Sequence, residues 1–139
     1  MILLDTNVLS ALMRQEPDAA VIRWLDRQPR QSIWTTSVTV FEIRFGLQTM
    51  TAGKRQASLM RAFEKLLSDL LDRRVADFDS AAAQSAADLT TARQRKGCSG
   101  ELRDTMIAGI VLASNAVLAT RNVEHFRELS SSVVNPWVV

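Results

Sequence analysis

The chain of 139 residues has one cysteine, one histidine, three prolines and five glycines, and each shortage excludes something. Cys98 alone can form no internal disulfide and no cysteine cluster for zinc, so a free thiol in a reducing compartment is expected. His125 and Cys98 together are too few to build a zinc site. No window comes near the roughly 20 uncharged apolar residues of a membrane span. The apolar opening, Met1 to Leu4, is too short for a signal-peptide core and is interrupted by Asp5. A cytoplasmic protein with no membrane partner is therefore expected. No Pro/Gly-rich linker, internal repeat or low-complexity tract divides the chain, so residues 1–139 read as one domain. Its 47% apolar and 23% charged composition is that of a chain able to fold by itself.

Net charge is only +2, and the basic excess lies in the middle of the chain. There Arg93, Arg95, Lys96 and Arg103 make a group that can meet a phosphate backbone, although side chains of this kind more often form an ordinary solvated face.

Met1 to Leu4 is a continuous apolar run of strand length, as in a strand covered on both faces of a parallel sheet. Leu9, Leu12 and Met13 predict a helix over Asn7 to Gln15. Asp18 is placed to cap a second helix, with Val21, Ile22, Trp24 and Leu25 as its apolar stripe, ended by Pro29. Ser32 to Thr36 reads as the second strand, and Ser37 as the cap of a helix to about Thr49. The longest amphipathic helix runs from Lys54 to about Arg73. Val75 to Phe78 is a third strand, and Asp79 or Ser80 caps an alanine-rich helix reaching about Lys96. Asp104 opens another helix, Val117 to Thr120 gives a fourth strand, and Val133 to Asn135 a brief fifth. Strands separated by helices imply right-handed crossovers and a three-layer α/β/α sandwich with a mostly parallel sheet of four to five strands.

In open parallel sheets, function concentrates where strands end and strand order reverses. Asp5 stands at the end of an apolar strand, where an unpaired ionised carboxylate costs several kcal/mol or so. Glu42 lies one turn into the helix after the second strand, Asp104 at the start of the helix before the fourth, and Thr120, Arg121 and Asn122 just beyond the fourth. If these ends converge, three carboxylates and an amide face one another, and the pKa values of the acids rise unless a cation neutralises them. Magnesium suits such hard oxygen donors. Taken singly, Asp5 and Asp104 also suit helix caps, and Glu42 an ion pair with an arginine.

The blocks LLDTNVLSAL, SVTVFEIRFGL, ELRDTMIAG, LATRNVEHF and NPW, in this order across the whole chain, resemble the ordered motifs of the PIN-domain family, especially the VapC-type toxins of bacterial toxin-antitoxin modules. The resemblance implies a metal-dependent endoribonuclease inhibited by a small antitoxin whose tail enters the toxin's groove. The family's acidic positions fall on Asp5, Glu42 and Asp104. Its fourth falls on Asn122, an amide that brings no charge and leaves the number of metal ions open.

On that footing Asp5 and Asp104 hold Mg²⁺ or Mn²⁺, with Glu42 and Asn122 joining directly or through water, and phosphodiester hydrolysis leaves 5′-phosphate and 3′-hydroxyl ends. Thr6, Asn7 and Thr120 orient the acids and the water. Arg93, Arg95, Lys96 and Arg103 position RNA. Leu9, Leu12, Trp24, Leu25, Phe41 and Phe45 are mostly core, any exposed part making a groove for the antitoxin, and a homodimer with two sites sharing a cleft is expected. Trp137 is read as a packing anchor. Two rivals stay open. An aspartyl-phosphate phosphatase is one, although Asn7 stands where its second aspartate belongs. The other is a catalytically silent module that seizes an antitoxin and the DNA the antitoxin grips.

Overall fold

The computed structural model describes residues 1–138. Five strands, β1 (Ile2–Leu4), β2 (Ile33–Thr36), β3 (Val75–Ala76), β4 (Val117–Ala119) and β5 (Val133–Val134), form one sheet in the order β3-β2-β1-β4-β5. Every pairing is parallel. Six α-helices accompany them: α1 (Thr6–Met13), α2 (Ala19–Asp26), α3 (Ser37–Gln48), α4 (Lys54–Lys65), α5 (Ser80–Arg95) and α6 (Leu102–Ser114). From β1 the chain builds outward through β2 to β3, then returns to lay β4 on the other side of β1. The order reverses between β1 and β4, and a crevice opens beyond their carboxyl ends.

Alternation along the strands explains why they read as unbroken apolar runs. Leu3, Trp34 and Leu118 face one layer with Ala82, Leu89, Ile107 and Val111 of α5 and α6. Leu4, Ile33 and Ala119 face the other, with Val8, Val21, Ile43 and Phe63 from α1 to α4. Both faces are covered, so neither needs polar residues. Leu3, Leu4, Leu118 and Ile33 are buried almost completely, each such side chain contributing about 1.5–3 kcal/mol. No helix among the described residues is long and apolar enough to cross a membrane.

The sheet is wholly parallel, and several element ends differ from those expected. Thr36, not Ser37, caps α3: its Oγ1 accepts from Thr39 N at 3.0 Å in the extended conformation a cap requires. Ser37 Oγ instead accepts from Phe78 N at 3.0 Å, tying the end of β2 to the segment after β3. Asp104 does not open α6, because Glu101 is the cap residue, and it stands in the first turn where the helix dipole favours a carboxylate. The long helix does not run to Arg73. A π turn follows α4, with Leu71 N bonded to Leu66 O at 3.0 Å. Asp72 and Arg73 then take positive φ, turning the chain into β3.

Gly109 sets how closely α5 and α6 approach. A Cβ there would lie 2.5 Å from Ala82 O and 2.8 Å from the Ala86 Cβ.

Candidate active site

Asp5 follows β1 and is 5% exposed. Its backbone amide continues the sheet by donating to Ala119 O at 3.0 Å. Its side chain caps α1, Oδ1 accepting from Thr6 N at 2.8 Å. The other oxygen, Oδ2, accepts from Thr120 Oγ1 at 2.7 Å and from Asn7 Nδ2 at 3.4 Å. These donors answer the cost of placing a carboxylate at the end of an apolar strand. Among the described residues no buried polar side-chain atom lacks a partner.

Asn7 and Thr120 tie β1 to the segment after β4. Asn7 Nδ2 donates to Thr120 Oγ1 at 3.2 Å, while its Oδ1 accepts from Arg121 N at 3.0 Å. The same Thr120 hydroxyl accepts from Asn122 N at 3.1 Å.

Asp5, Glu42, Asp104 and Asn122 line one open cleft of about 420 Å³ at the switch point. Glu42 is reached from α3 and Asp104 from α6, so four separate stretches of chain meet there. Thr6 Oγ1 donates to Glu42 Oε1 at 3.1 Å, and Arg103 Nη1 lies 3.3 Å from Glu42 Oε2. His125 Nδ1 stands 2.8 Å from Asp104 Oδ2.

Burial pushes the Asp5 carboxyl above its ordinary range, against the pull of Thr120 and Thr6, and Asp104 nearby adds repulsion. Burial likewise raises Asp104; the His125 hydrogen bond lowers it, and the charges of Glu101 and Glu42 push upward. The acids sense one another, so the cleft concentrates negative potential.

No three His, Cys, Asp or Glu side chains among the described residues stand close enough to grip an ion as they are. The donors nevertheless fit a hard divalent cation, being carboxylate and amide oxygens without sulfur. Besides the Thr6 hydroxyl on Glu42, the protein's own partners of Glu42 and Asp104 are the partly exposed side chains of Arg103 and His125. The two raised carboxyls are those that bound positive charge would bring down.

The expected RNA-contacting group does not share one surface. Arg93 is 7% exposed. Its Nε and Nη2 donate to Glu128 at 3.0 and 2.9 Å, and its Nη1 to Thr105 Oγ1 at 2.8 Å. It is thus a buried clamp holding α5 to α6 and to the turn Val123–Ser132, not a phosphate ligand. That pairing holds the Glu128 carboxyl down to about 2. Arg95 and Lys96 are exposed at the end of α5, and Arg103 is engaged by Glu42.

The apolar set divides between core and surface. Leu9 and Trp24 are core, at 0% and 5% exposure, and Leu12 and Leu25 pack half-buried against the same cluster. Phe41 and Phe45 remain exposed, stacked with ring centroids 6.1 Å apart. Sequence reasoning missed His125 as the partner of Asp104 and Arg14 on the cleft wall, and it gave Arg121, placed just beyond the fourth strand, no role. Their signals were position alone: Arg121 and His125 lie in the block following β4, and Arg14 at the end of the helix that Asp5 begins.

The profile of the PIN domain family matches residues 2–131, and the chain belongs to that family. It is 39% identical over 137 residues to the plasmid stability protein StbB of Pseudomonas syringae pv. tomato, covering 99% of each chain. To the VapC ribonuclease Y4jK of Sinorhizobium fredii it is 38% identical, covering 99% of this chain and 98% of that one. The toxin FitB of Neisseria gonorrhoeae is 31% identical over 99% of each chain. The crystal structure of FitAcB from the same organism superposes with a TM-score of 0.88, at 30% identity and over the full length of both chains.

Proposed function

We propose that this chain is a divalent-metal-dependent endoribonuclease of the cytoplasm and the toxin of a toxin-antitoxin pair. The observation that carries this reading is the convergence of Asp5, Glu42, Asp104 and Asn122 on one cleft at the reversal of strand order. The names of the relatives, a VapC ribonuclease and a toxin, support it.

Asp5 and Asp104 are the residues that would hold the ion, with Glu42 and the Asn122 carbonyl beside them. Magnesium, or manganese in its place, supplies there the positive charge that polarises a phosphate oxygen and makes water nucleophilic near neutral pH. Thr120, Asn7 and the amide of Thr6 fix the direction of the Asp5 carboxylate, so its oxygens are placed before substrate arrives. Thr6 and Arg103 hold Glu42, and His125 holds Asp104. In the hydrolysis, water oxygen bonds to phosphorus and the bond from phosphorus to O3′ breaks. O3′ leaves with a proton, giving 5′-phosphate and 3′-hydroxyl ends.

A cognate antitoxin, carrying the contact with DNA, silences the cleft. The exposed pair Phe41 and Phe45 supplies apolar surface for a protein partner, and the toxin pairs as a homodimer. The test is incubation of purified, partner-free protein with labelled RNA, with and without Mg²⁺ or Mn²⁺, beside Asp5→Asn. Metal-dependent cutting that the substitution abolishes is expected.

A second reading, a silent module that sequesters an antitoxin, is favoured by the uncharged Asn122 and by the wide spacing of the acids. It predicts intact RNA in every lane from a well-folded sample.

A further inference from the structure

Four carboxylates line the cleft, Asp5, Glu42, Glu101 and Asp104, and the arginines beside them on its wall are Arg14 and Arg121. A nucleic-acid strand brings only negative charge to such a place. Local cations must therefore guide its phosphates past the acids. Most of the neighbouring arginines are already engaged: Arg93 by Glu128, Arg103 by Glu42 and Arg127 by Glu124. Among the described residues, Arg14 and Arg121 form no ion pair, and both are exposed.

Arg121 is also held in place. Its backbone amide is bonded to Asn7 Oδ1 at 3.0 Å, and its guanidinium carbon lies 4.9 Å from the centre of the Trp137 ring. An arginine resting on an aromatic face keeps its donors free while losing side-chain freedom in advance, which lowers the cost of binding an anion. Trp137 itself packs against the core, so the platform is anchored. Arg14 is the residue at which α1 stops. It reaches the same wall from the far end of the helix that Asp5 caps.

From this we propose that Arg14 and the Trp137-supported Arg121 are the positioning residues for the RNA backbone, gripping phosphates next to the cleaved linkage. The inference rests on the ribonuclease reading above and assigns the substrate grip to a wall of the cleft outside its acids.

The test measures KM, kcat and the salt dependence of binding for a short fluorescein-labelled oligoribonucleotide. Binding is followed by anisotropy in EDTA, so that nothing is cut. Arg14→Ala and Arg121→Ala each weaken affinity about fivefold at 0.1 M salt, and each lowers the slope of log K against log salt by about 0.7. KM rises in step while kcat stays within about twofold. Arg121→Lys restores the slope, because the charge remains. Trp137→Leu raises KM with the slope unchanged, because the charge stays but is no longer held. Arg55→Ala, on the first turn of α4, controls for net charge and leaves the slope as it was.

Unchanged affinity and slope in both alanine variants, while the wild type still cuts, overturns the grip alone. An Arg55→Ala effect as large as theirs overturns it as well, since diffuse charge then accounts for binding. A wild type that neither binds nor cuts the oligoribonucleotide removes the grip together with the ribonuclease reading.

Discussion

Thr120 Oγ1 donates a 2.7 Å hydrogen bond to Asp5 Oδ2, joining residues 115 positions apart in the chain. The bond crosses from β4 to β1 at the point where the sheet reverses its order, and it fixes the most deeply buried acid of the cleft. Even so, burial outweighs it and keeps the Asp5 carboxyl above its ordinary value of 3.8.

That balance has a sign in stability. A carboxyl raised on folding holds its proton more tightly in the native than in the unfolded chain. Its contribution is complete below pH 3.8 and is lost as pH rises through the native value. In EDTA, Asp5→Asn removes the buried charge and is expected to melt a few degrees above wild type near neutral pH. The gap closes as the pH falls towards about 4. Thermal melts across this range check it, and equal melting temperatures near neutrality contradict it.

Asn122 lines the cleft without charge. Asn122→Asp adds a carboxylate to the donors and is expected to tighten Mg²⁺ binding several-fold, since ligand charge is a main control on divalent affinity. Titration calorimetry decides, and unchanged or weaker affinity goes against the assignment of this residue to the ion.

Glu128 shows the opposite pH behaviour from Asp5. Its carboxyl falls from 4.5 to about 2 because Arg93 bonds its charged form. The stability this supplies is complete above the unfolded value and is lost as pH drops through the native one. Wild type is expected to exceed Glu128→Gln in urea midpoint by a constant margin above about pH 5.5, with the margin shrinking in acid. A margin that does not change with pH would count against the pairing.

Gly109→Ala places a methyl group against the Ala82 carbonyl and the Ala86 side chain. Alanine gains roughly 0.5–1 kcal/mol of helix preference over glycine. Crowding against backbone costs about 1–3 kcal/mol and dominates. A net loss is expected in urea or thermal unfolding, and a stabilised variant would show that α5 and α6 separate at little cost.

The architecture was legible because both faces of the sheet are covered: Leu3 and Leu4, or Leu118 and Ala119, point to opposite layers yet are all apolar. Asp5 and Asp104 were legible as acids at the end of a strand and in the first turn of a helix, whereas Glu42 stands midway along α3. Arg93 was not legible. Charged residues crowded at a helix end do not reveal which one turns inward, and its partner Glu128 comes 35 residues later in an irregular turn. Leu9 and Trp24 illustrate the same gap, since an apolar stripe does not say where core stops and surface begins. His125, weighed only against zinc, gains its place from the fold, which sets it beside Asp104.

The placing of β4 beside β1 also has a consequence in time. Synthesis delivers the first wall of the cleft with the opening residues and the opposite wall only after about residue 122. A chain still attached to the ribosome holds Asp5 beside an unfilled sheet edge, without Thr120 to orient it. The Asp5 carboxylate is thus left without its orienting hydroxyl until the stretch through residue 122 has been made.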